Sequence, residues 1–311
     1  MKFDNIAFVG TYECNTSCDY CYAEKYIAPY KNIELSFERY KEILLQLKEN
    51  GVRYIIFIGG EPALWKHINE AIKFAREEGM ITTVMSNAMI KLKEMPDRFL
   101  ININVLFMTR HKEIIKNVSY YSKHSRVRLI YNLYDINKYQ AILIQKILWK
   151  LKVPVSLWIV FSEDPSLANG EYFYKLARAL KEEEKIDVEI FGPMPICMFT
   201  EEQYVYLKYN MNLVSTCGTP SFEKTDAFTV INPDGQTILP CPPLAFTADI
   251  KYLLNNDMSA YIQKFSPHTK RLRQTVPKWC EGCEHHNNKC QYGCQVNKFE
   301  VEEYRDGRIL I

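Results

Sequence analysis

Three cysteines stand close together near the start of the chain, in the run Cys14-Asn15-Thr16-Ser17-Cys18-Asp19-Tyr20-Cys21. The spacing is C-x3-C-x2-C within eight residues. Three thiolates on one tight loop can cap three irons of a cuboidal iron–sulfur cluster and leave the fourth iron without a protein ligand. An electron-transfer cluster normally takes four cysteines. A set of three keeps one iron open for a small molecule, which points to a catalyst rather than an electron carrier. Taken alone, the same spacing also suits a zinc site.

The other seven cysteines lie between residues 197 and 294, and none falls between 22 and 196. Cys280-x2-Cys283-x6-Cys290-x3-Cys294 supplies four thiols within fifteen residues, preceded by Cys197, Cys217 and Cys241. A C-x2-C pair with further cysteines, and with His285 and His286 between them, is legitimate zinc spacing. The first residues, Met1-Lys2-Phe3-Asp4-Asn5, lack a basic segment followed by an apolar stretch. Ten cysteines in such a chain imply a reducing, cytoplasmic setting and metal rather than disulfides. Their clumping into two groups implies two metal-binding regions.

The elements that must position the first group read as alternating strands and helices. Short apolar runs at 6–9, 54–58, 81–85, 101–108, 127–134 and 153–161 are continuous rather than alternating, as parallel strands buried on both faces should be. Helical patterns separate them, over 36–49 with Ser36 as N-cap and Gly51 past the end, then over 68–78, 112–122, 138–150 and 171–185. Six such units predict a right-handed, mostly parallel α/β sheet curled into a partial (β/α)6 barrel. Functional groups then gather at the carboxyl ends of the strands. The cysteine loop follows the first strand, Gly59-Gly60-Glu61-Pro62 the second, and Ser86-Asn87 ends the third. Glu13, Arg128 and Asn132 are further polar residues expected near this mouth.

After about residue 190 the composition turns to Pro, Gly, Cys and irregular loops, with the boundary placed at 192–195. This divides the chain into a barrel over 1–190 and a small Cys-rich domain over 191–311. Within the second, Phe228 to Cys241 reads as a hairpin about an Asn-Pro-Asp-Gly turn. Net charge is +2 over 311 residues, so composition makes no case for nucleic acid or an anionic membrane. No uncharged stretch is long enough to span a bilayer.

The cysteine loop with an aromatic before its last cysteine, followed by Gly59-Gly60-Glu61-Pro62, resembles the radical S-adenosylmethionine (SAM) superfamily. The resemblance implies a [4Fe–4S] cluster on Cys14, Cys18 and Cys21 whose open iron chelates the amino and carboxylate groups of SAM. It further implies one-electron cleavage of SAM to a 5′-deoxyadenosyl radical. Gly59, Gly60, Glu61 and Pro62 match the element that holds the methionine amino group. Tyr20 matches the aromatic that helps place adenine, and Ser86 and Asn87 the polar strand end near the ribose. The glycine frequent after that Asn is Ala88 here.

The hairpin and the later cysteines resemble the SPASM or twitch extension, which carries one or two auxiliary [4Fe–4S] clusters. By the family pattern Cys217, Cys241 and Cys294 serve the inner cluster and Cys280, Cys283 and Cys290 the outer one. Cys197 is either a further ligand or a buried thiol without metal. Seven cysteines fall one short of the eight that two fully ligated clusters need.

Members with this extension commonly oxidise or crosslink ribosomally made peptides, with an auxiliary cluster accepting an electron. A flavodoxin- or ferredoxin-type donor is the implied redox partner. With Cys14 so near the start, the N-terminal peptide-binding domain of many such maturases is not expected here. Two alternatives are a small-molecule oxidoreductase acting on a substrate such as a sugar alcohol, and a non-catalytic zinc-binding module.

Overall fold

The computed structural model describes residues 4–18, 21, 23, 29–103, 111–133, 153–159, 170–190, 196–213, 229–239, 247–257, 259–261, 263 and 281–284. The chain divides into two compact units, each discontinuous in sequence. One comprises 1–127 with 221–267, the other 128–220 with 268–311.

The first unit begins with β1 (Asn5–Val9), α1 (Phe37–Glu49), β2 (Tyr54–Ile58), α2 (Ile68–Glu77), β3 (Ile81–Ser86), β4 (Arg98–Asn102) and α3 (His111–Tyr121). The four strands lie side by side in chain order and all parallel. Val9 sits opposite Ile58, and Phe57 opposite Val84, so the carboxyl ends of β1, β2 and β3 share one edge.

Local chemistry explains these elements. The Ser36 hydroxyl accepts from Arg39 N at 3.2 Å, capping α1, whose Tyr40, Ile43, Leu44 and Leu47 form the buried stripe. In α2 the buried stripe is Ile68, Ala71, Ile72 and Ala75, at the expected spacing. Burying each Ile or Leu contributes about 1.5–3 kcal/mol before chain entropy is set against it. β4 lies earlier than the expected 101–108. Asp97 Oδ2 accepts from Thr82 N and Thr82 Oγ1 at 2.8 and 2.9 Å, and Asp97 N donates back to Thr82 Oγ1 at 3.1 Å. That exchange starts the strand at Arg98, opposite Thr83.

The second unit takes up the chain at Arg128, within β5 (Arg126–Leu133), and β5, β6 (Val155–Ile159) and β7 (Val188–Ile190) run parallel in that order. The helix expected over 171–185 is α4 (Gly170–Arg178), continued by one π turn at Ala179–Glu183. β7 is too short for periodicity to reveal. A helix, α5 (Glu201–Met211), occupies a stretch expected to be irregular. Its sign in the sequence is a capping box, in which Thr200 Oγ1 accepts from Gln203 N and Gln203 Oε1 from Thr200 N. The helix expected over 138–150 lies outside the described residues.

The expected hairpin is present as β8 (Thr229–Ile231) and β9 (Thr237–Leu239). Gly235 adopts φ +63° in the turn, and Gly235 N donates to Asn232 O at 3.0 Å. β10 (Ala248–Asp249) and the short α6 (Lys251–Leu254) follow. β8 pairs in parallel with the free side of β1, Ile6 opposite Thr229 and Phe8 opposite Ile231, while β9 and β10 continue antiparallel. The hairpin thus extends the first unit's sheet to the order β10-β9-β8-β1-β2-β3-β4. The α/β class with a parallel sheet is as expected from the sequence.

Candidate functional site

The cysteine loop leaves β1 at Gly10 and returns at Glu34, where Thr11 and Glu34 form a β-bridge and Leu35 N donates to Gly10 O at 2.9 Å. Its outgoing stem lies against the turn that follows β2. Gly60 N donates to Thr11 O at 3.2 Å, and Glu61 N to Glu13 O at 2.8 Å. A Cβ on Gly60 would meet Glu13 O at 2.2 Å and Tyr12 O at 2.4 Å. One on Gly59, which adopts φ +144°, would meet Thr11 O at 2.4 Å. The close approach these glycines permit is therefore to the backbone of the cysteine loop itself.

Glu61 is 1% exposed. Its Oε1 accepts from Ser86 Oγ at 2.8 Å and from Ala63 N at 3.0 Å, and its Oε2 accepts from Asn87 N at 2.8 Å. Burial pushes the Glu61 carboxyl above its ordinary value, while the donors from Asn87, Ala63 and Ser86 pull the other way. The side chain thus ties the end of β2 to the end of β3. Pro62 begins a 3-10 turn, Pro62–Leu64, that Glu61 caps.

From there the contact runs back to the cysteines. Asn87 Nδ2 donates to Asn15 Oδ1 at 2.7 Å, and Asn87 Oδ1 accepts from Met89 N at 2.9 Å. Asn15 is the residue between Cys14 and Thr16, so the third strand end grips the cysteine loop directly. The Ser86 hydroxyl faces Glu61 and also accepts from Ala88 N at 2.9 Å. Ala88 adopts φ +58°, a left-handed conformation natural to glycine, and it is fully buried. A non-glycine residue holds this conformation at a strain of about 1–2 kcal/mol.

Cys14 is exposed, Cys18 and Cys21 are half-buried, and none of the three is in a disulfide. Cys14 Sγ lies 3.3 Å from Thr16 Oγ1, and Cys21 N donates to Cys18 O at 2.9 Å. Cys197 is exposed on the turn Ile196–Met198 and Cys283 is half-buried, neither in a disulfide. Tyr20, Cys217, Cys241, Cys280, Cys290 and Cys294 lie outside the described residues, as do His285 and His286.

Glu13 meets the turn after β2 through its carbonyl, and Asn132 is buried near the carboxyl end of β5. Arg128 departs from expectation. It pairs with Asp187 at 2.7 Å and Glu189 at 3.4 Å and donates to Val155 O at 3.5 Å. Those partners stand at or near the starts of β6 and β7, so Arg128 belongs to the amino edge of these strands. Its place early in β5 would have shown this. Nothing in the local sequence marks Asn15, an asparagine between two cysteines, as a structural tie.

Residues 8–138 match the radical SAM superfamily. This segment is a radical SAM domain. Among curated relatives, the chain is 36% identical over 85 residues to an Fe-coproporphyrin III synthase from Methanosarcina barkeri, covering 27% of this chain and 21% of that protein. It is 28% identical over 123 residues to a PqqA peptide cyclase from Bradyrhizobium diazoefficiens, covering 38% and 32%. The chain thus spans about a fifth to a third of these relatives. Streptococcus suis SuiB has the same fold, with a TM-score of 0.65 at 17% identity over 97% of this chain and 76% of SuiB. So does anSMEcpe with bound AdoMet, with a TM-score of 0.60 at 12% identity over 96% and 91%.

The residues of the radical SAM domain fit the cofactors by donor type. Three thiols on one loop, uncommitted to disulfides, are the ligands such a cluster takes, and the loop is tied to the ends of β2 and β3. Among the described residues no three His, Cys, Asp or Glu side chains converge as a metal set.

Proposed function

We propose that the chain is a radical SAM enzyme that oxidatively modifies or crosslinks a ribosomally made peptide. The observation that carries the reading is the pair of contacts joining three strand ends, Glu61 N to Glu13 O and Asn87 Nδ2 to Asn15 Oδ1. They put the Gly-Gly-Glu turn and the Asn87 strand end against the loop bearing Cys14, Cys18 and Cys21.

When bound there, SAM and a [4Fe–4S] cluster supply a 5′-deoxyadenosyl radical that removes hydrogen from the substrate. This chain's residues do the holding. Cys14, Cys18 and Cys21 would ligate three irons, the Gly59–Glu61 backbone would receive the methionine amino group, and Ser86 and Asn87 would serve the ribose side. Tyr20 helps place adenine. Residues 191–311 hold one or two auxiliary clusters through Cys217, Cys241, Cys280, Cys283, Cys290 and Cys294, with Cys197 as a further candidate. An auxiliary cluster held there would take the electron left on the substrate after hydrogen removal, and a flavodoxin- or ferredoxin-type protein would supply the separate electron that cleaves SAM.

The peptide substrate is supported by the PqqA peptide cyclase matches and by likeness to SuiB bound to its precursor peptide SuiA (TM-score 0.59). The matches to an Fe-coproporphyrin III synthase and to a nucleotide dehydratase from Flammeovirga pacifica favour a small-molecule substrate as the second reading. No helix among the described residues is long and apolar enough to cross a membrane.

Anaerobically purified protein is expected to be brown and, with SAM and a reductant, to release 5′-deoxyadenosine. Cys18→Ala should abolish that product. A colourless zinc protein, or a Cys18→Ala variant that still makes 5′-deoxyadenosine, would falsify the reading. Deuterium appearing in 5′-deoxyadenosine from a labelled peptide, and not from a labelled alcohol or porphyrin, selects the peptide substrate.

A further inference from the structure

The hairpin of β8 and β9 reaches the cysteine loop from the side opposite Glu61. Because β8 runs parallel to β1, the turn at Asn232 emerges at the carboxyl end of β1, where the loop begins. Both stems of the loop carry a tyrosine at this level. Tyr12 precedes Cys14 by two residues and is 2% exposed, and Tyr30 lies on the returning stem. Their ring centroids are 5.7 Å apart.

A single side chain bridges them. Asn232 is fully buried. Its Oδ1 accepts from Tyr12 Oη at 2.8 Å, across 220 residues of sequence. Its Nδ2 donates to Tyr30 Oη at 3.1 Å and to Thr237 Oγ1 at 2.9 Å. Thr237 Oγ1 donates in turn to Asp234 Oδ2 at 2.8 Å, so the Tyr30 hydroxyl donates to Thr237 Oγ1, also at 2.8 Å. Each hydroxyl proton has one acceptor, and the amide uses its oxygen and both hydrogens, so the network has one arrangement. The Asn232 backbone is also engaged, its N–H with Thr237 O and its carbonyl with Gly235 N.

An apolar wall accompanies the polar bridge. Val230 of β8 and Leu239 of β9 pack with Ala7, Val9, Tyr12, Ala23 and Ile58, and Cys21 and Tyr30 pack against that cluster. The hairpin therefore covers the Cys21 end of the loop and fixes the separation of its stems.

We propose that Asn232 is a positioning residue for the three-cysteine loop, holding both stems so that Cys21 is presented in a set place relative to Cys14 and Cys18. It acts through Tyr12 and Tyr30. The inference rests on the iron–sulfur reading of the loop for its purpose, but its physical content can be tested without metal.

In the metal-free full chain, iodoacetamide alkylation of each cysteine is followed by mass spectrometry. Asn232→Ala is expected to raise the Cys21 rate about tenfold, because a buried network that orders the loop is lost. Cys14, already exposed, should change less than twofold. The ratio of the two rates is the readout, taken on variants whose circular dichroism and denaturation midpoint show that they remain folded under the labelling conditions, so that global unfolding does not produce the change. Tyr30→Phe, which keeps the ring and removes one hydroxyl, should shift the ratio in the same direction about threefold. It carries the test if Asn232→Ala does not fold. After iron–sulfur reconstitution, both variants should lose iron to a chelator faster than the wild type. Unchanged Cys21-to-Cys14 ratios in folded variants overturn the proposal. A changed ratio in a chain that takes up zinc and no iron keeps the clamp and removes the proposed function.

Discussion

Two polar clusters grip the cysteine loop from opposite sides, and they are built from different materials. On the β2–β3 side the centre is Glu61, a buried carboxylate that accepts from two backbone N–H groups and a serine. On the β8 side the centre is Asn232, a neutral amide that joins two tyrosines and a threonine, with the carboxylate of Asp234 only at the far end of the chain of bonds. The first cluster caps strand ends that are neighbours in the sheet. The second joins loop stems to a distant hairpin. A carboxylate suits the first task because charge-assisted bonds to backbone N–H groups are strong enough to fix main chain. An amide suits the second because it offers donors and an acceptor at once.

The largest loss is expected at the glycine turn after β2. Gly60→Ala puts a methyl within 2.4 Å of two backbone carbonyls that cannot swing aside. We expect a loss of about 3 kcal/mol, read as a lowered denaturation midpoint, with the Asn232 bonds insufficient to retain the loop. A variant with wild-type stability would show that the β2 turn does not hold the outgoing stem.

Glu61→Gln is expected to cost about 1–3 kcal/mol, because its amide nitrogen must face either Asn87 N or Ala63 N, donor against donor. It should also change the pH dependence. Burial raises the Glu61 value in the folded chain, so the folded state keeps this proton to higher pH than the unfolded state does. The contribution of this group to stability is therefore greatest at low pH. It falls as pH rises from the ordinary carboxyl range through the raised folded value. Denaturation midpoints across that window should show the slope in the wild type and lose that component in Glu61→Gln. An unchanged slope would move the titration elsewhere.

Thr237→Val gives the smallest effect, about 1 kcal/mol, since it removes one hydroxyl from the neutral cluster and keeps a β-branched residue in β9. The loss should be similar on both sides of the window in which Glu61 titrates. A pH-dependent loss equal to that of Glu61→Gln would mean that the two clusters are coupled through the loop.

Much of the site was legible before folding because its parts are local. Cysteine spacing lies within one loop, the Gly-Gly-Glu-Pro run is a single turn, and the buried stripes of α1 and α2 follow helix periodicity. Ser86 and Asn87 could be placed at a strand end because β3 is a continuous apolar run. What could not be read was the work each group does. The Ser86 hydroxyl turns to Glu61, the two glycines make room for the loop's own carbonyls, and Ala88 keeps a glycine-like backbone without being glycine. Arg128 reads as a mouth residue from its side-chain type alone, and its depth along β5 places it at the opposite edge.

The residue sequence by itself determined the spacing of the three cysteines, the turn chemistry and the alternation of strands and helices, since each depends on neighbours a few positions apart. Only the tertiary structure decided that β8 lies beside β1 and that Asn232 meets Tyr12. That contact depends on the parallel pairing of segments some 220 residues apart, and strand pairing leaves no trace in the local pattern of either segment.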